Sequence, residues 1–323
     1  MKVGIIGAGS IAGTMAGTIR EMDCAQNYAV AARDYERAAE FAQTYGFEKA
    51  YGSYEELVED AGVELVYIAT PHSHHYEHIK LCLNHGKHVL CEKSFTVNES
   101  QAREVLALAR EKKLLLTEAI WTRYMPMRKT LDSVLSSGVI GRPYMLTANL
   151  GYIISGKERI MRPELAGGAL LDVGIYPLNF ASMVFGDEVD SITGTAVMTE
   201  TGVDAQNSIT ITYKDGKMAA LCSSAMGLSD RRGIIYGDNG FIEVENINNC
   251  EGIRVYDRSR NMIASYDTPK QISGYEYEVE ACLRAIKEGA LECPEMPHEE
   301  TLRMMGWMDA LRRQWGLVYP MER

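Results

Sequence analysis

Short apolar segments alternate with amphipathic segments over the first 120 or so residues of the chain. The apolar segments predict strands at 2–6, 28–32, 64–69, 87–91 and 114–117. Between them, apolar positions recur at helical spacing in 34–45, 53–60, 74–85 and 98–112. Strands that alternate with helices are typical of βαβ units, so the pattern predicts a doubly wound parallel sheet with helices on both faces.

The pattern changes after about residue 140, where strand-like segments follow one another with few helices between them. Strands are predicted at 143–153, 190–199, 206–214, 217–224, 232–237, 241–245, 252–256 and 262–267. Helices are predicted at 167–184, 274–288 and 298–315. Short hairpin turns favour a mostly antiparallel sheet. The predicted fold class is therefore α/β, with a Rossmann domain over 1–122 and an α+β domain with a large open sheet over 123–323.

One face of the second sheet is expected to pack against a partner subunit. Residues 209–213 alternate apolar and polar side chains, so helices should cover one face and a less apolar layer the other. We expect a homodimer formed through this sheet.

Composition and charge narrow the expected partners and compartment. The net charge is −11, the pI is about 5.2 and no basic stripe is present, so neither nucleic acid nor a membrane is expected as a partner. No apolar run approaches the roughly 20 residues that span a bilayer. Seven cysteines without a C-x-x-C spacing argue against a zinc site or a disulfide framework. We therefore expect reduced thiols and a cytoplasmic location.

The first predicted strand ends in a glycine-rich turn. Gly7-Ala-Gly9-Ser10-Ile11-Ala12 separates it from an amphipathic segment. Gly7 permits the turn, Gly9 lets the backbone approach a pyrophosphate, and Ala12 is small enough for close helix–strand packing. The helix that begins at Ser10 and Ile11 offers free N–H groups to the phosphates. This predicts a dinucleotide site, with an ordinary βα turn that binds something else as the alternative.

The end of the second predicted strand bears on the choice between NADP and NAD. The strand is followed by Arg33 and Asp34. A small residue and then an arginine suit the 2′-phosphate of NADP, because a guanidinium pairs with phosphate and stacks on adenine. If the strand ends later, Asp34 meets the ribose 2′-hydroxyl of NAD instead. We expect NADP, with NAD or a merely solvated Arg33 as alternatives.

Two further segments carry candidate catalytic groups. Glu92 and Lys93 follow the strand at 87–91, at the edge where open α/β sheets bind ligands. A lysine there can hydrogen-bond a substrate hydroxyl or carbonyl, with Glu92 as its electrostatic partner. Asp172 and Tyr176 are four residues apart in a predicted helix and share one face. A tyrosine close to a lysine can donate and accept a proton, although each segment taken alone is more often a solvated pair or a packing helix.

Together these segments resemble the Gfo/Idh/MocA oxidoreductases. The resemblance covers essentially the whole chain and rests on Gly7-Ala-Gly9, Ala69-Thr70-Pro71-His72-x-x-His75, Glu92-Lys93, Glu118-Ala-Ile-Trp121-Thr-Arg123-Tyr124-x-Pro126, 167–176 and 296–301. The Glu-Ala-x-Trp-Thr-Arg stretch and the tyrosine at position 176 are most similar to the dimeric dihydrodiol dehydrogenase branch. Most other branches carry histidine at that position.

The resemblance implies roles for individual residues. Lys93 would help to bind substrate and transfer a proton, Tyr176 would be the acid/base group, and Asp172 would be a partner on the substrate side. NADP or NAD would bind in the first domain, and the small-molecule substrate in the second. The pocket residues implied for the cofactor are Thr70, Pro71, His72, His75, Glu92, Lys93, Trp121 and Arg123. The chain departs from the family at Ser94, where proline usually follows the lysine.

The histidines in 72–78 raise the alternative of a metal site. Their spacing is not His-Glu-x-x-His and no carboxylate or cysteine set accompanies them, so no metal is expected. The sequence predicts an NADP-dependent oxidoreductase that transfers hydride between nicotinamide and a secondary alcohol or ketone of a sugar, cyclic polyol or trans-dihydrodiol. The alternatives are an NAD-linked inositol or sugar dehydrogenase and a non-catalytic NAD(P)-binding sensor or regulator.

Overall fold

Six parallel strands form the first of two sheets in the computed structural model, which describes residues 1–323. The strands are β1 Lys2–Ile6, β2 Gln26–Ala31, β3 Lys49–Tyr51, β4 Leu65–Ile68, β5 His88–Glu92 and β6 Leu116–Ala119. Their order is β3-β2-β1-β4-β5-β6. Strands β2 and β3 are added on one side of β1 and strands β4 to β6 on its other side, so the strand order reverses between β1 and β4. Doubly wound sheets bind dinucleotides at this reversal.

Five helices connect these strands, and three of them begin at a side-chain cap. They are α1 Ser10–Arg20, α2 Tyr35–Tyr45, α3 Tyr54–Glu59, α4 His72–Asn84 and α5 Glu99–Lys112. Asp34 caps α2, Ser53 caps α3 in a capping box, and Asn98 caps α5. The bounds predicted from the apolar periodicity for α2 to α5 match these to within two residues, while α1 was predicted only as an amphipathic segment after the glycine turn.

Eight strands form the second sheet. They are β7 Pro143–Gly151, β8 Val189–Met198, β9 Asp204–Tyr213, β10 Met218–Ser224, β11 Gly233–Gly237, β12 Gly240–Glu245, β13 Gly252–Asp257 and β14 Met262–Asp267. Their order is β14-β13-β12-β11-β7-β10-β9-β8, and only the β7–β10 pair is parallel. The predicted fold class, a Rossmann sheet plus a large, mostly antiparallel open sheet, is confirmed.

The most apolar segment of the chain lies on this second sheet. Its helical parts are a 3₁₀ turn Pro163–Leu165, a π-helix Leu170–Gly174 and α8 Ile175–Phe185, and α8 packs against β7 and β10. By length and composition, Pro163–Phe185 is apolar enough to cross a membrane, but 89% of its most apolar window is buried inside the protein. Packing against the sheet accounts for its apolar character.

The chain falls into two compact units, one of residues 1–124 and 271–305 and one of residues 125–270 and 306–323. The sequence predicted one domain boundary, between residues 122 and 123. It did not predict that residues 271–305 belong to the first unit. Hydrogen bonds to β6 explain it, because the Leu116 N–H donates to Leu291 O at 3.1 Å and the His298 ring bonds Leu116 O at 2.8 Å. The remaining helices are α6 Pro126–Ser136, α7 Glu158–Met161, α9 Glu276–Glu288 and α10 His298–Trp315.

Candidate active site

The glycine turn after β1 has the shape of a phosphate cradle. Gly7 adopts a φ of +102°, and a Cβ there would lie 2.9 Å from the Ala69 carbonyl oxygen, so only glycine fits. A Cβ on Gly9 would meet no atom within 4 Å, which leaves open space at the turn. No side chain caps α1, which begins at Ser10, so its first N–H groups are available to an anion. The residues present therefore fit the pyrophosphate of a dinucleotide.

Two arginines follow the end of β2. Arg33 is exposed, and its charge adds to burial in lowering the pKa of His74 on α4. Arg37 donates to the Ala8 carbonyl oxygen from Nη2 at 2.8 Å and from Nε at 3.2 Å, which places its guanidinium at the glycine turn. Sequence patterns do not mark Arg37, because it occupies a polar position of a helix. The Asp34 carboxylate accepts the Glu36 N–H at 3.0 Å as the cap of α2.

The histidine-rich motif after β4 begins α4. Pro71 precedes the helix and His72 is its first residue. His75 is fully buried, and its Nδ1 bonds Ser94 O while its Nε2 bonds Thr70 O, each at 2.8 Å. Burial lowers the pKa of His75 to about 4, although the two carbonyl groups favour the protonated ring. His75 therefore ties the segment after β4 to the segment after β5. No group of three or more His, Cys, Asp and Glu residues is arranged to hold a metal ion.

The carboxylate of Glu92 is buried at the end of β5. Its Oε1 accepts a short hydrogen bond from the Tyr67 hydroxyl, and its Oε2 accepts the Lys93 backbone N–H at 3.2 Å. Lys93 is half-buried and directly follows β5, so it lies at the C-terminal edge of the parallel sheet. Ser94 is fully buried, and the Lys93–Ser94 peptide bond is cis. The lysine therefore stands at the edge where such sheets bind ligands.

Two further glutamates of the first unit are fully buried. Glu118 in β6 accepts the Phe95 N–H through Oε1 at 3.1 Å, and its Oε2 has no hydrogen-bond partner. Burial raises the pKa of Glu118 to about 7. Glu278 lies on α9, which packs against β5, and neither of its carboxylate oxygens has a partner. Burial, and after it the charge of Glu92, raises the pKa of Glu278 well above its usual range. No motif marks Glu278, because a lone glutamate in an amphipathic helix normally faces solvent.

Replacing Glu278 with glutamine is expected to make the free energy of unfolding fall less steeply as the pH rises into the alkaline range. Since folding raises the pKa of Glu278, its contribution to stability is complete below about pH 4.5 and is lost as the pH rises. One such group lowers the free energy of unfolding by up to about 1.4 kcal/mol for each unit by which the pH rises between its unfolded and folded pKa values. Thermal unfolding above about pH 7, where the contribution of Glu118 has ended, measures the difference. Glu280→Gln, on the exposed side of α9, is the control. Equal pH slopes for wild type and Glu278→Gln would contradict the prediction.

Trp121 and Arg123 lie in a 3₁₀ turn after β6. The Trp121 ring stacks on Tyr275, with 4.2 Å between ring centroids and 14° between ring planes. Arg123 is buried and forms an ion pair with Glu300, which also pairs with Arg303. The guanidinium of Arg123 therefore compensates a buried carboxylate. Contact of Trp121 and Arg123 with a cofactor stays a prediction.

The second unit carries Asp172 in the π-helix and Tyr176 in the first turn of α8, and both are buried. The Asp172 carboxylate accepts from Arg159 Nη1 at 2.7 Å and from Nη2 at 3.5 Å. A regular helix was predicted over 167–184, since an apolar run does not distinguish π from α geometry. Turns of π-helix are rare and occur mainly at functional sites. Asp172 is therefore an ion-paired carboxylate at an unusual turn.

Two family models match the chain. The model described as the oxidoreductase family with an NAD-binding Rossmann fold matches residues 1–120. The model of the GFO/IDH/MocA C-terminal domain matches residues 129–243. The chain belongs to the GFO/IDH/MocA oxidoreductase family. The predicted family and the predicted class of enzyme, an NAD(P)-dependent oxidoreductase, are confirmed.

Several known proteins are similar over their full length. The trans-1,2-dihydrobenzene-1,2-diol dehydrogenase of Xenopus tropicalis is 34% identical over 99% of both chains. The same enzyme of Homo sapiens is 34% identical over 100% of this chain and 99% of its own. A solved 3-ketoreductase from Actinomadura kijaniata in complex with NADP and TDP-benzene has a TM-score of 0.90 at 25% identity, over 97% of each chain. An aldose-aldose oxidoreductase from Caulobacter crescentus, with a TM-score of 0.88 at 19% identity over 99% of each chain, shares the fold.

Proposed function

We propose that this protein is an NADP-dependent dehydrogenase that moves hydride between nicotinamide and a secondary alcohol or ketone of a trans-dihydrodiol, cyclic polyol or sugar. The observation that carries the proposal is the place of Lys93, at the C-terminal edge of a sheet whose glycine turn fits a dinucleotide. The full-length relatives named as trans-dihydrodiol dehydrogenases support a cyclic diol among the substrates.

The proposed reaction divides the work between cofactor and side chains. The nicotinamide ring, when bound, donates or accepts the hydride. The Lys93 ammonium group donates a hydrogen bond to the substrate oxygen and stabilises negative charge on it as hydride leaves. The Tyr176 hydroxyl exchanges the proton with that oxygen. Asp172, already paired with Arg159, orients its helix and the neighbouring loop instead of acting as a base.

A screen of turnover tests the proposal against a cofactor-binding sensor, which is the second candidate function. NADPH absorbance is followed with trans-dihydrodiols, cyclic polyols, sugars and the matching ketones. We expect turnover with at least one of these classes. Tight NADP binding together with no turnover across the whole panel would favour the sensor, because a shared fold does not by itself imply catalysis.

A preference for NADP over NAD is part of the proposal. Arg33 and Arg37 supply guanidinium groups after β2, while the Asp34 carboxylate is engaged in capping. NADP also occupies the solved ketoreductase. Arg33→Ala is expected to lower kcat/KM with NADP about tenfold and to leave kcat/KM with NAD nearly unchanged, because only NADP carries the phosphate. Arg20→Ala, at an exposed site in α1, is the control. Equal losses with both cofactors would contradict the preference.

We further propose a homodimer formed through the open face of the second sheet. Ala220 on β10 is exposed on that face, between Thr147 on β7 and Thr210 on β9. Farther along the sheet, the Phe241 and Tyr256 rings stack at 4.6 Å between centroids. A broad face of small and aromatic side chains suits close packing against a second copy of the chain.

Ala220→Asp is expected to convert the proposed dimer to a monomer, because two copies of a new carboxylate would be buried in a symmetric interface. Light scattering at micromolar concentration measures the mass. Ala61→Asp, at an exposed turn after α3, is the control and is expected to stay dimeric. A monomeric wild type, or a dimer that Ala220→Asp leaves intact, would contradict the proposed interface.

A further inference from the structure

Asp204, the first residue of β9, has a fully buried carboxylate that links three elements of the second unit. Its Oδ2 accepts hydrogen bonds from the Leu170 N–H at 2.8 Å and from Asn207 Nδ2 at 2.9 Å. The Oδ1 of Asn207 in turn accepts from the Ser223 hydroxyl on β10 at 2.9 Å. The start of the π-helix, β9 and β10 are thus joined through one carboxylate.

Leu170 opens the helical run that carries Asp172 and Tyr176. The first N–H groups of a helix have no acceptor within the helix, and no side chain at Ala169 caps this one. The Asp204 carboxylate supplies the acceptor from 34 residues farther along the chain. Negative charge is also favoured at a helix N-terminus. Asp204 is therefore a long-range N-cap of the π-helix.

The turn before the π-helix has little freedom to move. Gly168 adopts a φ of +110°, and a Cβ there would lie 2.3 Å from Asp204 Oδ1. The Gly167 carbonyl oxygen accepts the hydroxyl of the fully buried Tyr319 at 2.6 Å. The Arg312 guanidinium lies over the Tyr319 ring, 4.9 Å from its centroid. Two separate buried contacts therefore hold the turn.

The second oxygen of Asp204, Oδ1, is buried without a hydrogen-bond partner. Burial raises the pKa of Asp204 to about 6, and its hydrogen bonds and the charge of Arg312 limit the rise. The charged and titratable groups that face it are Arg312, which pairs with Asp309 and Glu322, and the Tyr319 phenol. This carboxyl group therefore gains a proton in mildly acidic solution.

We propose that Asp204 is a positioning residue of the oxidoreductase, whose carboxylate fixes the first turn of the π-helix and thereby the positions of Asp172 and Tyr176. The inference rests on the proposed function, because the role is defined by the proton transfer at Tyr176. Without the carboxylate, the Leu170 N–H loses its acceptor and the turn relaxes. A displacement of about 1 Å in a reacting group is enough to lower a rate about 100-fold.

Two substitutions separate positioning from a general loss of stability. Asp204→Ala removes both hydrogen bonds and is expected to lower kcat about 100-fold while the Kd for NADP is unchanged. Asp204→Asn keeps an oxygen for both donors without the charge, and is expected to keep kcat within about tenfold of wild type. Below about pH 6, the kcat of the wild type is expected to fall towards that of Asp204→Asn. The kcat of Asp204→Asn is expected not to change with pH across that range. Asp190→Ala, at an exposed site in β8, is the control.

Hydrogen exchange gives a readout that does not depend on turnover. Protection of the amides in 168–174 is expected to fall in Asp204→Ala and to recover largely in Asp204→Asn. The positioning role would be overturned if Asp204→Ala left both protection and kcat unchanged. It would also be overturned if the kcat of Asp204→Asn fell below about pH 6 as it does in the wild type. If exchange changes as expected but wild type turns over no substrate, the anchoring of the turn is supported and the proposed function fails.

Discussion

Replacing Lys93 with methionine is expected to lower kcat about 10³-fold, within the range that general acid–base groups contribute. Methionine keeps an unbranched side chain that packs in the same space, but it cannot donate a proton or a hydrogen bond. The Kd for NADP is expected to change less than about threefold, because the glycine turn and the arginines after β2, and not Lys93, are proposed to bind its phosphates. The substitution therefore separates catalysis from cofactor binding.

The measurement pairs steady-state kinetics with a titration of NADP binding. Lys112→Met, at an exposed site near the end of α5, is the control and is expected to match wild type in both. A kcat for Lys93→Met close to that of wild type would show that Lys93 is not the catalytic lysine. A large loss of NADP affinity would show instead that Lys93 serves mainly to bind cofactor.

Replacing Tyr176 with phenylalanine is expected to lower kcat about 100-fold, because the change removes only the hydroxyl that is proposed to exchange the proton. The ring is buried, so its packing is retained and the unfolding temperature should stay close to that of wild type. Kinetics with the same substrate and thermal unfolding measure the two effects. Tyr266→Phe, at an exposed site in β14, is the control. An unchanged kcat would exclude the hydroxyl from proton transfer.

The double variant tests whether Lys93 and Tyr176 act on one proton. Residues that work as a unit give losses that do not add in free energy, whereas independent residues give losses that multiply in rate. Lys93→Met combined with Tyr176→Phe is expected to lower kcat little more than Lys93→Met alone. A loss equal to the product of the two single losses would mean that the residues act in separate steps.

Local signals explain why much of the first unit was predictable. Apolar runs give the buried strands, and the caps Asp34 and Asn98 give the helix starts. The short strand β3 was missed, because three residues of mixed polarity carry no clear pattern. Helix α6 was missed as well, because no side chain caps it. Its first residue, Pro126, is also the last residue of the segment 118–126 that was assigned to the family motif.

Arg37, Asp204 and Glu278 were missed, because no sequence spacing encodes the contacts that they make. Arg37 reaches back 29 residues to the glycine turn, and Asp204 reaches Leu170 across 34 residues. Glu278 is buried because α9 returns to pack against β5. By contrast, Lys93 was predictable because it directly follows a recognisable strand. Candidate residues attached to a local pattern are therefore readable from the sequence, and residues that support them from elsewhere in the chain are not.

Transfer of hydride between a substrate carbon and NADP is the reaction proposed for this protein. The most direct measurement uses trans-dihydrodiols, cyclic polyols and sugars deuterated at the carbinol carbon, with mass spectrometry of the cofactor formed. Deuterium is expected in NADPH with at least one substrate class, and its transfer is expected to be about 10³-fold slower with Lys93→Met under the same conditions. Tight binding of NADP by the wild type with no label transferred from any of these substrates would contradict the proposed reaction.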